Sequence, residues 1–177
     1  MLEVRTSHTS SLDAAALDEL RRFLDEAFSG DFDDEDWDHA LGGIHAVGTE
    51  DGALVAHASV VQRRLLHGGR ALRTGYVEAV AVRAARRRRG YGRAVMERLG
   101  EVIRGAYEVG GLAAGEPAAT LYRSLGWRAW EGDTWVLGPH GLERTPEDDG
   151  GIYVLPVAAK LDLAGNLACD WRGGAVW

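Results

Sequence analysis

Apolar residues recur at three- and four-residue spacing over 11–28, where Leu17, Leu20, Leu24, Ala27 and Phe28 share one face. That spacing predicts an amphipathic helix, with Ser10 or Ser11 as cap and Gly30 at its end. Strand-like runs follow. Residues 44–49 and 54–66 read as strands joined by a hairpin turn at Glu50-Asp51-Gly52, and 71–82 as a third long strand after His67-Gly68-Gly69. Helical periodicity returns over 91–107, with Ala94, Val95, Leu99, Val102 and Ile103 on one face. A short strand is expected over 109–113, then a helix over 117–125 with proline in its first turn and Gly126 just past its end. Residues 127–130 and 134–137 read as a hairpin, and 152–157 and 167–171 as late strands. Strands alternate with helices only in the middle of the chain, so the expected class is α+β with a mixed sheet.

No repeat, low-complexity tract or linker interrupts the 177 residues, and 1–177 is expected to form a single domain. The one cysteine, Cys169, cannot form an intrachain disulfide, which fits a reducing cytoplasm. The first ten residues have no apolar signal core, and no stretch approaches the roughly 18 apolar residues of a membrane span. The formal charge of −7 repels nucleic acid phosphate and favours cationic partners. Charge is uneven: residues 31–38 hold six acids, and residues 83–93 hold six arginines. Two opposite fields suggest one cationic and one anionic ligand, with two solvated surface runs as the alternative. The six histidines form no H-x-x-x-H pair and there is no C-x-x-C, so no metal site is expected. No G-x-S-x-G elbow is present.

The motif that carries most chemistry is Val80-Ala81-Val82-Arg83 followed by Arg87-Arg88-Arg89-Gly90-Tyr91-Gly92-Arg93-Ala94. A β-rich run feeds a glycine-bearing loop that opens a helix. Glycine lets the main chain approach a ligand closely, and the first helical turn offers unpaired N–H groups at the positive end of the dipole. Nearby arginines add charge-assisted hydrogen bonds, so the pattern suits a diphosphate. It lacks the G-K-[ST] of a P-loop and the glycine spacing of a dinucleotide fingerprint.

This pattern resembles the GNAT superfamily of acetyl-CoA-dependent N-acetyltransferases. The resemblance implies a single GNAT domain with a central mixed, mostly antiparallel sheet flanked by helices. It also implies that Val80, Ala81 and Val82 pair with the pantetheine arm, and that Arg87, Arg88, Gly90, Gly92 and Arg93 surround the phosphates. A closer resemblance covers nearly the whole chain. LGGIHA at 41–46, VQRRL at 61–65, GYVEAVAVRA at 75–84, DDG at 148–150, CDWR at 169–172 and VW at 176–177 are similar to the aminoglycoside 2′-N-acetyltransferases. The activity implied is acetyl transfer from acetyl-CoA to the 2′-amine of gentamicin-, tobramycin- or kanamycin-type antibiotics by direct attack in a ternary complex. Members of that family resemble one another in being cytoplasmic homodimers.

Acetyl transfer needs a neutral amine, so a base is required. Glu78 lies in an otherwise apolar strand, where burial would raise its pKa towards neutrality. Simple alternation puts Tyr76, Glu78, Val80 and Val82 on one face. The alternative is a carboxylate on a solvent-facing surface or paired with an arginine; the family match favours the base. By resemblance Tyr122 hydrogen-bonds the departing sulfur and the Val80 amide donates to the carbonyl oxygen. Also by resemblance, Asp31, Asp36 and Asp148 contact the cationic substrate, and Glu78 and the carboxylate of Trp177 are expected to add further anions. Trp127, Trp130, Trp135 and Trp171 are assigned to the core or a dimer interface. Two places depart from the family pattern: Ala175 replaces an expected aspartate, and Gly115-Glu116-Pro117 replaces a serine-rich loop. They leave room for another cellular amine, such as a cell-wall amino sugar or polyamine, as acceptor. A non-catalytic acyl-CoA-binding regulator is a further alternative.

Overall fold

In the computed structural model, which describes residues 1–177, the chain sorts into two units: 1–61 with 77–101, and 62–76 with 102–177. The two longest strands, β3 (Ala53–His67) and β4 (Arg70–Val82), run on from one unit into the other.

In the first unit β1 (Leu2–His8) pairs antiparallel with β2 (Ile44–Glu50), and β2 pairs antiparallel with the first half of β3. The chain start, read only for the absence of a signal core, is therefore a strand. Helix α1 (Ala14–Ala27) starts later than its apolar period suggests, because Asp13 rather than Ser10 or Ser11 caps it, accepting from the Ala16 amide at 2.8 Å. Its inner face buries Leu20, Phe23 and Leu24 against Phe32, Leu54 and Ala81. Each fully buried leucine or phenylalanine contributes about 1.5–3 kcal/mol.

The acidic run also folds. Asp33 and Asp36 close a capping box at the start of α2 (Asp34–Ala40), and Asp34, Glu35 and Asp36 lie in its first turn. Acids there meet the positive end of the helix dipole, so a run that looks like surface charge is also a helix start. After β4 comes α3 (Tyr91–Ala106), which begins in this unit and buries Val95, Met96 and Leu99.

The second unit holds the rest of the sheet. β5 (Val109–Ala113) runs parallel to β4 through Thr74, Gly75 and Tyr76. A Cβ on Gly75 would lie 2.6 Å from the Tyr107 ring, so only glycine lets the chain after α3 pack this closely. β9 (Ile152–Pro156) pairs antiparallel with β5, and the short β6 (Arg128–Ala129) with β9. On the far side of β3 come β10 (Leu167–Asp170), antiparallel to β3, and β7 (Thr134–Gly138), parallel to β10. β8 (Gly141–Arg144) follows, antiparallel to β7. The expected 127–130/134–137 hairpin does not form: β6 joins β9, and β7 takes β10 and β8. Helix α4 (Glu116–Ser124) has proline in its first turn.

The class is α+β, with antiparallel pairs in the majority and β4–β5 and β10–β7 as the parallel ones. Trp127 and Trp130 are core residues, whereas Trp171 is 57% exposed. Cys169 is fully buried, and burial pushes its thiol up to about 11.

Candidate active site

The end of β4 and the loop after it carry the first unit's candidate residues. Ala81 is buried in the α1 core, while Val80 and Val82 are half-buried. The Arg83 amide donates to Val55 O at 2.9 Å and holds the strand end to β3. Arg88 and Gly90 both adopt left-handed φ, +61° and +83°. Arg88 follows an extended Arg87, so the amides a ligand can use are those of the first turn of α3, at the positive end of its dipole. The Ala94 amide bonds Gly90 O at 3.0 Å, so Gly90 caps α3, and the amides of Tyr91 and Gly92 have no carbonyl a turn below. A Cβ on Gly90 would meet nothing within 4 Å. The main chain here is open to a ligand, and the site fits a diphosphate.

The arginines divide into two sets. Arg83 bonds Leu54 O and Glu26, Arg86 bonds Glu50 at 2.6 Å, and Arg87 bonds Val82 O and Ala27 O, each at 3.2 Å. These three fasten the loop, and Arg87, expected at the phosphates, is exposed with its guanidinium on two carbonyls. Arg88 and Arg89 are exposed, and Arg93 pairs with Glu97 at 3.2 Å. Glu50, read from the sequence as a turn residue, takes Arg86 on one oxygen and the Tyr91 hydroxyl on the other. The Tyr91 hydrogen bond first, and Arg86 after it, hold the Glu50 carboxyl below its ordinary range. No local pattern marks this role, because both partners lie more than thirty residues away.

Glu78 is half-buried on β4, but the expected alternation through Val80 and Val82 is broken. Ala79 has φ +49°, and a left-handed residue inside a strand bends it as a bulge does. The Glu78 and Ala79 carbonyls are taken by side chains of β3: Ser59 Oγ donates to Glu78 O at 3.5 Å and His57 Nδ1 to Ala79 O at 2.8 Å. Neither residue was foreseen. Like Glu78, His57 is a polar residue in a mostly apolar run, 54–61, and carries the same local signal. Among the substrate candidates of this unit, Asp31 is exposed, while Asp36 closes the α2 capping box with an oxygen 3.2 Å from the Asp33 amide.

The second unit carries the remaining candidates. Tyr122 on α4 is 5% exposed, its ring 6.3 Å from Trp127 and 6.1 Å from Tyr153, and burial pushes its phenol up to about 12. Asp148 ends a 3-10 turn, and burial raises its carboxyl while the Thr145 hydroxyl bond opposes the rise. Trp177 is buried and donates through Nε1 to Thr145 Oγ1 at 2.9 Å. Thr145 therefore brings Asp148 and Trp177 together, a junction the sequence does not reveal. Arg172 reaches Ala175 O and Trp177 O, and Arg63 reaches Asp170 and Val176 O, so the last residues form a closed turn. Ala175 is exposed on that turn.

Comparison with known proteins gives this geometry a context. The family model described as an acetyltransferase (GNAT) domain matches residues 8–130. An aminoglycoside 2′-N-acetyltransferase from Mycolicibacterium fortuitum is 53% identical over 177 residues, covering 98% of this chain and 91% of the relative. Among solved structures, a GNAT family acetyltransferase from Brucella melitensis in complex with acetyl-CoA superposes with a TM-score of 0.63 at 17% identity. That match covers 98% of this chain and 97% of the other. The ribosomal-protein-S18-alanine N-acetyltransferase from Escherichia coli gives 0.62 at 20% identity, covering 92% and 97%.

Proposed function

Since this chain belongs to the GNAT acetyltransferases, and among them to the aminoglycoside 2′-N-acetyltransferases, we propose that it acetylates the 2′-amine of aminoglycosides such as gentamicin, tobramycin and kanamycin, and so confers resistance to them. The observation that carries the reading is the 53% identity to a relative of that name over nearly the full length of both chains. The open amides at the start of α3 support the donor half, because a helix start of this kind fits a diphosphate. Acetyl-CoA, held there, supplies an activated acetyl group. The whole of 1–177 acts as one catalytic domain in this reading, and the family match draws on both units.

Each residue then has a stated task. Val80, Ala81 and Val82 offer main-chain groups to the pantetheine arm, and the Val80 amide donates to the carbonyl oxygen as charge develops. Arg87, Arg88, Gly90, Gly92 and Arg93 surround the phosphates, and the bonds of Arg87 to Val82 O and Ala27 O also brace the loop. Glu78 takes the proton of the attacking amine, directly or through a water. Tyr122 hydrogen-bonds the departing sulfur. Asp31, Asp36, Glu78, Asp148 and Trp177 receive the ammonium and hydroxyl groups of the antibiotic. A cytoplasmic homodimer completes the reading, and exposed Leu137, Leu142 and Trp171 offer apolar surface for a second copy.

Thiol release with acetyl-CoA and a panel of amines tests this. Gentamicin should turn over and analogues with a 2′-hydroxyl should not, and the active species should weigh two chains by light scattering. Turnover of other amines alone would favour the second acceptor class that Ala175 leaves open. Coenzyme binding with no turnover of any amine would make the protein a regulator. Glu78→Gln should lower turnover most at low pH, where amines are protonated, and should leave acetyl-CoA affinity nearly unchanged. A large loss of donor affinity would make Glu78 a structural residue.

A further inference from the structure

The bend at Ala79 places two consecutive carbonyls of β4, those of Glu78 and Ala79, opposite side chains of β3. A bulge leaves ladder groups unpaired, and a buried carbonyl without a donor is costly. Here the donors are His57 Nδ1, 2.8 Å from Ala79 O, and Ser59 Oγ, 3.5 Å from Glu78 O. A carbonyl only accepts, so Nδ1 carries the His57 proton and Nε2 is bare. His45 Nδ1, 3.0 Å from that bare nitrogen, must donate to it. The Thr9 hydroxyl, 2.8 Å from His45 Nε2 and 3.3 Å from Gly43 O, has one proton to give, and with the ring neutral it goes to Nε2. With both rings neutral, every proton in the row from Thr9 to β4 is assigned. Both imidazoles are fully buried, and burial lowers their pKa values to about 4 for His45 and about 3 for His57. The row is therefore neutral near pH 7.

We propose that His57 is a positioning residue for the reaction: with Ser59 beside it and His45 and Thr9 behind it, it fixes the bend of β4 that presents Glu78 and the main chain of Val80. The inference rests on the reading of Glu78 as the base. A hydrocarbon could fill the same space, but only a donor at the Nδ1 position holds the Ala79 carbonyl.

Two substitutions separate the halves of the imidazole. His57→Asn keeps a donor where Nδ1 stands, and His57→Gln keeps a polar group where Nε2 stands. The turnover number of His57→Gln should fall at least tenfold below that of His57→Asn, with the KM for acetyl-CoA of both within about twofold of the parent. Equal turnover in the two variants overturns the proposal. If either variant fails to fold, nitrogen NMR of the unaltered protein decides. Nδ1 of His57 protonated and Nε2 bare supports the row, and the opposite tautomer overturns it. Glu78→Gln, run alongside, tells the two readings apart. Full activity in that variant removes the base itself. Loss of activity there, with equal His57 variants, removes only the positioning role.

Discussion

Burial raises the Tyr122 phenol to about 12, while an ordinary thiol titrates near ~8.5. Passing the proton from one to the other is uphill by about 5 kcal/mol, so the role proposed for Tyr122 is to hydrogen-bond the developing thiolate while retaining its proton. A charge-assisted bond of that kind is worth about 1.5–3 kcal/mol. Tyr122→Phe should therefore lower kcat about 10- to 100-fold with little change in the KM for acetyl-CoA. Unchanged kcat in steady-state assays would return Tyr122 to aromatic packing with Trp127 and Tyr153. The sequence could propose this residue by resemblance, but not its protonation, because that depends on walls contributed by β9 and the chain after α4.

The loop between β4 and α3 is fastened at both ends by one carboxylate, since Glu50 holds Arg86 before Gly90 and Tyr91 after it. Glu50→Ala should raise the KM for acetyl-CoA about tenfold with kcat nearly unchanged, and Glu50→Gln should fall between. An unchanged KM, or a melting temperature that falls with it, would reduce Glu50 to a stability role. The strand, loop and helix of this element were legible because glycines and an apolar period declare them locally. The bend at Ala79 was not, since alanine rarely takes a left-handed φ and only the donors of β3 hold it there. Partner choice was likewise hidden. Proximity in sequence suggested a hairpin over 127–137, whereas β6 and β7 pair with strands formed later. Helix α2 was masked by charge, because the acids that suggest a solvated run are also its caps.

For the molecule as a whole, the two opposite charge runs are partly neutralised within the fold. Arg83 meets Glu26, Arg86 meets Glu50 and Asp34 meets Arg21, so the six like charges of each run overstate the field on either side. The larger pH effect comes from His45 and His57. Unfolded imidazoles titrate near 6.5, whereas these hold their neutral form down to about 4 and about 3. Between those values the unfolded chain binds more protons, so stability falls as pH drops below 6.5. By pH 5 the loss is about 2 kcal/mol for each histidine. The nearby charge of His8 adds to the shift at His45, and Asp148, raised by burial, opposes the trend. Melting scans from pH 7.5 to 5 should show a steep decline; a flat curve would mean that the two rings are charged in the fold.

The burial of Cys169 has a practical corollary. A chromogenic disulfide reagent added to the native enzyme should find no protein sulfur to attack, so every absorbance change during turnover counts a product molecule. Once denaturant at neutral pH opens the fold, the same reagent should gain one equivalent per chain, making a single dye both a clock for catalysis and a gauge of collapse.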